Sequence, residues 1–177
     1  MTIEQIKDKL KSKEYDFLKT DKNLGNNIII LTLGGSHAYG MDKEGSDLDV
    51  RGIALNSKSD ILLGTDFEQV VDVDTDTTMY SFNKMIQLLT SSNPNTIEQL
   101  GCLPEHYLHL SDIGKELLDN RKMFLSQICV FTFGGYAGSQ LRRMENKAAR
   151  LVGQAENEAY ILKSINNARY EFKNKYY

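Results

Sequence analysis

The feature that most constrains this chain is a glycine pair set where a buried strand ends, followed closely by two aspartates one residue apart. Ile28-Ile29-Ile30-Leu31-Thr32-Leu33 is rich in β-branched residues, as in strands buried on both faces. It stops at Gly34-Gly35 and continues as Ser36-His37-Ala38-Tyr39-Gly40. Glycine lets the backbone approach a ligand closely, and amides at a turn or helix start, with the Ser36 hydroxyl, can bind phosphate oxygens. Alone, Gly-Gly-Ser is a common strand-ending turn. The next predicted strand, Ser46 to Asn56, opens on Ser46-Asp47-Leu48-Asp49. Alternation puts Leu48, Val50 and Gly52 on one face and Asp47, Asp49, Arg51 and Ile53 on the other.

On one strand face, Asp47 and Asp49 sit about 6–7 Å apart at the backbone and converge easily on one cation. An isolated Asp-x-Asp is most simply the solvated face of an edge strand. Beside a phosphate-binding turn it reads as the acidic half of a metal–triphosphate site, because magnesium takes carboxylate and phosphate oxygens while keeping several waters. A two-metal site, with ions about 3.5–4 Å apart, generally needs a third carboxylate. Glu68 to Tyr80 offers three: it reads as a strand with Val71, Val73 and Thr75 alternating against Asp72, Asp74 and Asp76. Spacing does not choose among them.

The rest of the chain turns helical. Thr2 to Lys19 spaces Ile3, Ile6, Leu10, Phe17 and Leu18 as an amphipathic helix would. After Ser81, the stripe Phe82, Met85, Ile86, Leu88 and Leu89 predicts a helix ending near Asn93-Pro94. Further helices are expected over Thr96 to Leu103, Ser111 to Asp119, Arg121 to Phe133, Ser139 to Ala155 and Ala159 to Tyr176, with a bend or close packing at Gly134-Gly135 and Gly138. Strands then helices make an α/β (α+β) domain: a small mixed sheet with flanking helices over residues 1–110, and a C-terminal helical segment over 111–177 packed on it.

A chain of 177 residues buries a core without disulfides or structural metal. Its two cysteines, Cys102 and Cys129, stand far apart in unlike contexts and are expected to be buried thiols rather than a disulfide or a metal knuckle. The net charge of −3 argues against a protein that coats nucleic acid indiscriminately. Gln140 to Tyr177, however, carries eight Lys and Arg against four Glu, so the acidic excess lies earlier. Met1 to Lys13 has no secretory pattern and no apolar run approaches the roughly 20 residues that span a bilayer. A cytoplasmic protein without a membrane segment is expected.

Gly35-Ser36, Ser46-Asp47-Leu48-Asp49 and a later strand acid resemble the signature of the polymerase-β-type nucleotidyltransferase superfamily. Val50-Arg51-Gly52-Ile53, Asn93-Pro94-Asn95 with Glu98, Phe124-Leu125-Ser126, Gly135-Tyr136-Ala137 and Gln140-Leu141 extend the resemblance to a nucleotidyltransferase subfamily associated with RNA repair, from about Ile28 to Arg150. The resemblance implies a polymerase-β-like fold and an enzyme that moves a nucleoside monophosphate from an NTP, ATP being favoured, to an acceptor hydroxyl. It implies Gly35 and Ser36 as triphosphate contacts, and Asp47 and Asp49 as catalytic ligands of magnesium, or of manganese in its place. Asp76, four residues before Tyr80, fits the third position best, with Asp74 the runner-up.

The acceptor is an RNA end on this resemblance, with a protein or small molecule less favoured. Alternatives are a protein-AMPylating or toxin–antitoxin regulator of the same fold, and a nucleotide-binding module without turnover. Arg51 meets phosphate or pairs with a site carboxylate, and Lys84 either reaches the triphosphate or is a solvated helix lysine. His37 and Tyr39 line the nucleotide pocket or pack beside a tight turn. His106 and His109 have a helical metal-like spacing but no acidic partner, so they read as surface residues. The Tyr- and Lys-rich tail from Tyr160 is more simply a packing helix than an RNA-stacking surface.

Overall fold

A strand apolar on both faces needs cover on two sides. The computed structural model, which describes residues 1–150 and 161–170, supplies it with helices on each face of a five-stranded sheet. In chain order the elements are α1 (Ile3–Lys9), α2 (Phe17–Thr20), β1 (Ile28–Leu33), α3 (Gly35–Ala38), β2 (Val50–Ala54), α4 (Lys58–Leu63) and β3 (Gln69–Asp72). Then come β4 (Thr77–Ser81), α5 (Phe82–Thr90), α6 (Pro94–Gln99), β5 (Tyr107–Leu110), α7 (Asp112–Asp119) and α8 (Ile128–Arg150). The strand order is β3-β4-β2-β1-β5. β2 and β4 are parallel and the other pairs antiparallel. This is the expected small mixed sheet with flanking helices and a helical C-terminal segment.

Each face has its own core. On one, Leu31, Leu33, Leu48, Val50, Ala54 and Met79 meet Ile6, Tyr15, Leu18 and Leu24 from the N-terminal segment. On the other, Ile29, Ile30 and Ile53 meet Met85 and Leu89 of α5, Leu100, and Leu117 and Leu118 of α7. A shift of register between Ile28 and Ile30 lets neighbours Ile29 and Ile30 both serve the second core, where strict alternation would separate them. The Ser111 hydroxyl starts α7 as expected, accepting from the Gly114 amide at 3.1 Å.

Several expectations need correction. The single strand over Glu68 to Tyr80 is a hairpin, β3 and β4, with residues 73–76 forming its turn. The N-terminal helix is broken: α1, capped by Thr2 and Gln5, ends at Lys9, and a 3-10 turn over Lys13–Tyr15 and short α2 come after it. This path carries Tyr15, 1% exposed, into the core beside Ile6 and Leu18. Glycines 134, 135 and 138, expected between two helices, lie within the continuous α8, while residues 121–124 form a 3-10 turn instead of a helix start. His106 lies in a 3-10 turn and His109 in β5, so the two have no helical spacing. α4 and β5 were not expected. Ser57, which caps α4 by accepting from the Asp60 amide, and left-handed Gly64 at its end were the readable signals.

The chain divides into two compact units, Met1–Cys129 and Val130–Tyr177, so α7 falls within the first. In the second, α8 continues to Arg150 and residues 161–170 are helical. The remaining parts of the predicted Ser139 to Ala155 and Ala159 to Tyr176 helices, Tyr160 included, lie outside the described residues. Cys102 and Cys129 are not joined in a disulfide, and both are half-buried where full burial was expected.

Two glycine substitutions should move stability in opposite directions. A Cβ on Gly114 would stand 2.3 Å from the Ile29 carbonyl oxygen where α7 crosses β1, so Gly114→Ala should cost about 1–3 kcal/mol. At Gly134 an added Cβ meets nothing within 4 Å, so Gly134→Ala should add about 0.5–1 kcal/mol of helix stability. Urea unfolding of both variants measures the two signs.

Candidate active site

The register brings the functional segments to one end of the sheet. Leu33 pairs with Val50, Val50 with Thr77, and Thr32 with Tyr107, so the end of β1 and the starts of β2, β4 and β5 lie side by side. The ladder continues past the strand ends. The Gly34 amide donates to the Asp49 carbonyl at 2.9 Å, and the Val50 amide to the Asp76 carbonyl at 3.2 Å. Backbone bonds therefore set where Asp49 and Asp76 stand before either side chain is considered.

Asp47 and Asp49 do not lie within a strand as expected, but in the extended approach to β2. Leu48 between them is 5% exposed and anchored in the core, which turns its neighbours outward. Asp47 is exposed, and Asp49 is half-buried. Opposite it, Gly35 has a φ of +52°, a left-handed conformation that glycine adopts without penalty. A Cβ there would lie 1.9 Å from Asp49 Oδ2. The carboxylate thus occupies the volume that any other residue at position 35 would fill. Ser36 stands next, in the first turn of α3, its carbonyl accepting from the Met41 amide at 2.9 Å.

The hairpin separates the three aspartates between which spacing left the choice open. Asp72 Oδ1 is committed to the turn, accepting from the Thr75 amide at 2.9 Å and the Thr75 hydroxyl at 2.8 Å; that hydroxyl also lies 2.9 Å from Thr77 Oγ1. Asp74 is exposed in the turn. Asp76 has a φ of +44°, uncommon for a non-glycine residue, though aspartate tolerates it better than most. Its carboxyl comes within hydrogen-bonding reach of Asp49.

Arg51 completes the cluster. Its Nη2 donates to Asp49 Oδ1 at 3.1 Å and to Asp76 Oδ1 at 3.2 Å, while Nη1 donates to the Asp76 carbonyl at 2.5 Å. Of the two roles open to Arg51, the structure displays the carboxylate pairing. Burial, then the hydrogen bond and negative charge of Asp76, push the Asp49 carboxyl above its ordinary range; Arg51 pulls it back, and the charge of Asp47 adds to the rise. Two acids held together against their repulsion are a donor set suited to a hard cation. Among the described residues, no three His, Cys, Asp or Glu side chains form a metal-sized group, so Asp47 stands outside the pair.

Lys84 is not brought to this cluster. It lies in the first turn of α5, beyond the far end of β4, and its Nζ pairs with Glu68 Oε2 at 2.8 Å. His37 is 6% exposed, with Nδ1 3.4 Å from Asp42 Oδ2, a buried residue of the turn. Tyr39, just past α3, is exposed, and its hydroxyl donates to Glu98 Oε2 at 2.5 Å. Neither Glu98 nor this bond was assigned a role from sequence. The signal was the appearance of both residues in short motifs 59 positions apart.

Removing Arg51 should expose the repulsion it screens. Arg51→Met is expected to lower the melting temperature, and magnesium or manganese should raise it more in the variant than in the parent. Thermal melts with and without the cation check this.

Comparison with curated proteins and with solved structures finds no match to the chain. A family model does: the RNA repair pathway DNA polymerase beta family matches residues 4–166, which takes in the whole sheet, the glycine turn and the acidic cluster. The chain belongs to that family, and so to the polymerase-β-type nucleotidyltransferases of RNA repair.

Proposed function

We propose that this chain transfers a nucleoside monophosphate from an NTP, ATP being the favoured donor, to an acceptor hydroxyl at an RNA end. The observation that carries the reading is the Asp49 carboxylate seated against the Cβ-less Gly35, which puts a phosphate-binding turn and an anionic cation ligand in contact. In the reaction the acceptor oxygen forms a bond to the α-phosphorus, the bond from that phosphorus to the bridging oxygen breaks, and pyrophosphate leaves.

The residues present fit magnesium, or manganese in its place. Magnesium is commonly held by one or two carboxylates plus substrate phosphates, and Asp49 and Asp76 supply two whose mutual repulsion a cation would relieve. Asp47, exposed two positions before Asp49 and outside that pair as it stands, is the third acid proposed to join the site when the cation binds. Bound there, the cation would neutralise phosphate charge and lower the pKa of the acceptor hydroxyl.

The protein's own groups supply positioning and charge. The backbone at Gly35 and Ser36, with the Ser36 hydroxyl, receives phosphate oxygens, a preorganised donor set that needs no rearrangement as charge develops. Arg51, tied to both carboxylates, supplies positive charge within reach of the same phosphates. Lys84 has no part in this proposal, given its position at the other end of β4.

The test is to incubate the chain with α-labelled NTPs, magnesium or manganese, and RNA ends. Label should move to RNA with release of pyrophosphate, and Asp49→Asn should lower the rate about 100-fold or more. Nucleotide binding without transfer to any acceptor would instead indicate a binding module, and label on protein an AMPylating enzyme. The same substitution should not destabilise the fold. A carboxyl whose folded pKa is raised favours folding below its unfolded value, and that contribution is lost as pH rises through the folded value. At neutral pH the charged Asp49 is thus a cost, and Asp49→Asn should melt no lower than the parent in the absence of divalent cations. A scan in chelator measures it.

A further inference from the structure

The polar groups at the working end of the sheet form a row that extends past the triphosphate machinery. Across neighbouring strands it runs from Asp76 at the start of β4, to Asp49 before β2, to the glycine turn after β1, and then to the segment leading into β5. Three strand spacings make this about 14 Å, room for more than phosphates. At the β5 side stands Tyr39, one helical turn beyond Gly35, the residue 56% exposed and its hydroxyl fixed on Glu98. An exposed aromatic is usually a mobile one; this one is held by a hydrogen bond from outside its own loop.

The partner is itself rigidly placed. Glu98 lies in α6, whose N-terminus is capped by Asn93 accepting from the Asn95 amide. Beyond α6, Cys102 Sγ lies 3.7 Å from both the Leu33 and Glu98 carbonyls, and the Thr32 hydroxyl donates to the His106 carbonyl at 3.1 Å. The Tyr107 hydroxyl donates to the Gln99 carbonyl at 3.3 Å. These bonds rivet the Glu98 segment to the last residues of β1, immediately before the glycine turn. Thr96 and Gln99, on either side of Glu98 in α6, are both buried, so α6 has little freedom to carry Glu98 away.

We propose that Tyr39 is the nucleoside-binding residue of this site, its ring stacking on the base of the NTP, and that Glu98 is a positioning residue that holds the ring in place. The proposal rests on the nucleotidyltransferase function proposed for the chain and adds the part of the substrate that the acidic cluster and glycine turn do not address. Base–aromatic stacking tolerates any base because every base has a π-face, so Tyr39 contributes affinity for nucleosides as a class. A tyrosine whose hydroxyl is bonded in advance loses less freedom when a base stacks on it than a loose one would.

Inorganic tripolyphosphate separates the two halves of the site, since it carries the phosphates without a base. Calorimetry with magnesium should compare ATP and tripolyphosphate on the parent chain, Tyr39→Ala, Tyr39→Phe, Glu98→Ala and the Tyr39→Phe/Glu98→Ala double variant. Tyr39→Ala should weaken ATP binding about 5- to 150-fold, the range spanned by loss of one stacked base, with tripolyphosphate affinity kept within about twofold of the parent. Tyr39→Phe and Glu98→Ala should each weaken ATP less, and the double variant no more than either alone, as expected when both remove one shared bond. Equal weakening of both ligands by Tyr39→Ala, unchanged ATP affinity, or additive effects of the two milder changes would overturn the assignment. If the parent binds neither ligand, the nucleotidyltransferase reading fails with it; if it binds tripolyphosphate as tightly as ATP, only the nucleoside assignment falls.

Discussion

The parallel pairing of β2 with β4 is the constraint on which the candidate site depends. β3 and β4 form a tight hairpin, and had β4 run antiparallel to β2, its turn would have been delivered to the far end of the sheet. Running parallel in the register Val50↔Thr77, β4 begins where β2 begins, and Asp76 arrives beside Asp49. The 3.2 Å bond from the Val50 amide to the Asp76 carbonyl extends that pairing by one step. Two residues distant in sequence thereby become neighbours through backbone hydrogen bonding alone, and the side chains must accept the resulting repulsion. Arg51 is the local answer to it, with one guanidinium shared by both acids.

Such a cluster costs stability where a folded domain would otherwise gain it. Asp49 is partly withdrawn from water beside a second carboxylate, which raises its pKa despite the arginine. Asp76 adopts a left-handed backbone, which costs roughly 1–3 kcal/mol for a residue other than glycine. The turn that holds it is supported in compensation by the Asp72, Thr75 and Thr77 side chains, with Thr75 and Thr77 both buried. The strain is thus concentrated at one residue, and the neighbouring side chains of the turn support it. A purely structural turn at the same place would be better served by glycine or asparagine at position 76.

Much of this was legible in the sequence, and the parts that were not have identifiable causes. Ile28–Leu33 and the glycine pair were readable because a β-branched run that ends on glycine has few other interpretations. The hairpin was missed because Val71, Val73 and Thr75 alternate with aspartates as a continuous strand would; alternation records no reversal of direction, and Asp-Thr-Asp-Thr holds neither glycine nor proline to mark a turn. That error also hid which aspartate faces Asp49, since on a single strand all three would share a side. β5 was missed for its four residues, too short a run for a period to show. Three glycines in α8 suggest a bend because sequence reports glycine's freedom, not whether the chain uses it.

Lys84 shows the limit of reasoning from proximity along the chain. It stands eight positions after Asp76, but β4 intervenes, and five strand residues carry the chain about 16 Å to the opposite end of the sheet before α5 begins. There the ammonium finds Glu68. Tyr39 and Glu98 make the converse case: far apart in sequence, they are joined because β1 and β5 are antiparallel neighbours, so that the segment leaving β1 and the segment entering β5 must share a sheet end. Topology thus explains both why Lys84 stands away from the acids and why Glu98 meets Tyr39. The same rule gathers these groups at a single end of the sheet, with the acids on one side of the glycine turn and the tyrosine on the other. On the proposed reading, a divalent cation held by those acids would meet the phosphates of a nucleoside triphosphate whose base lies toward the tyrosine.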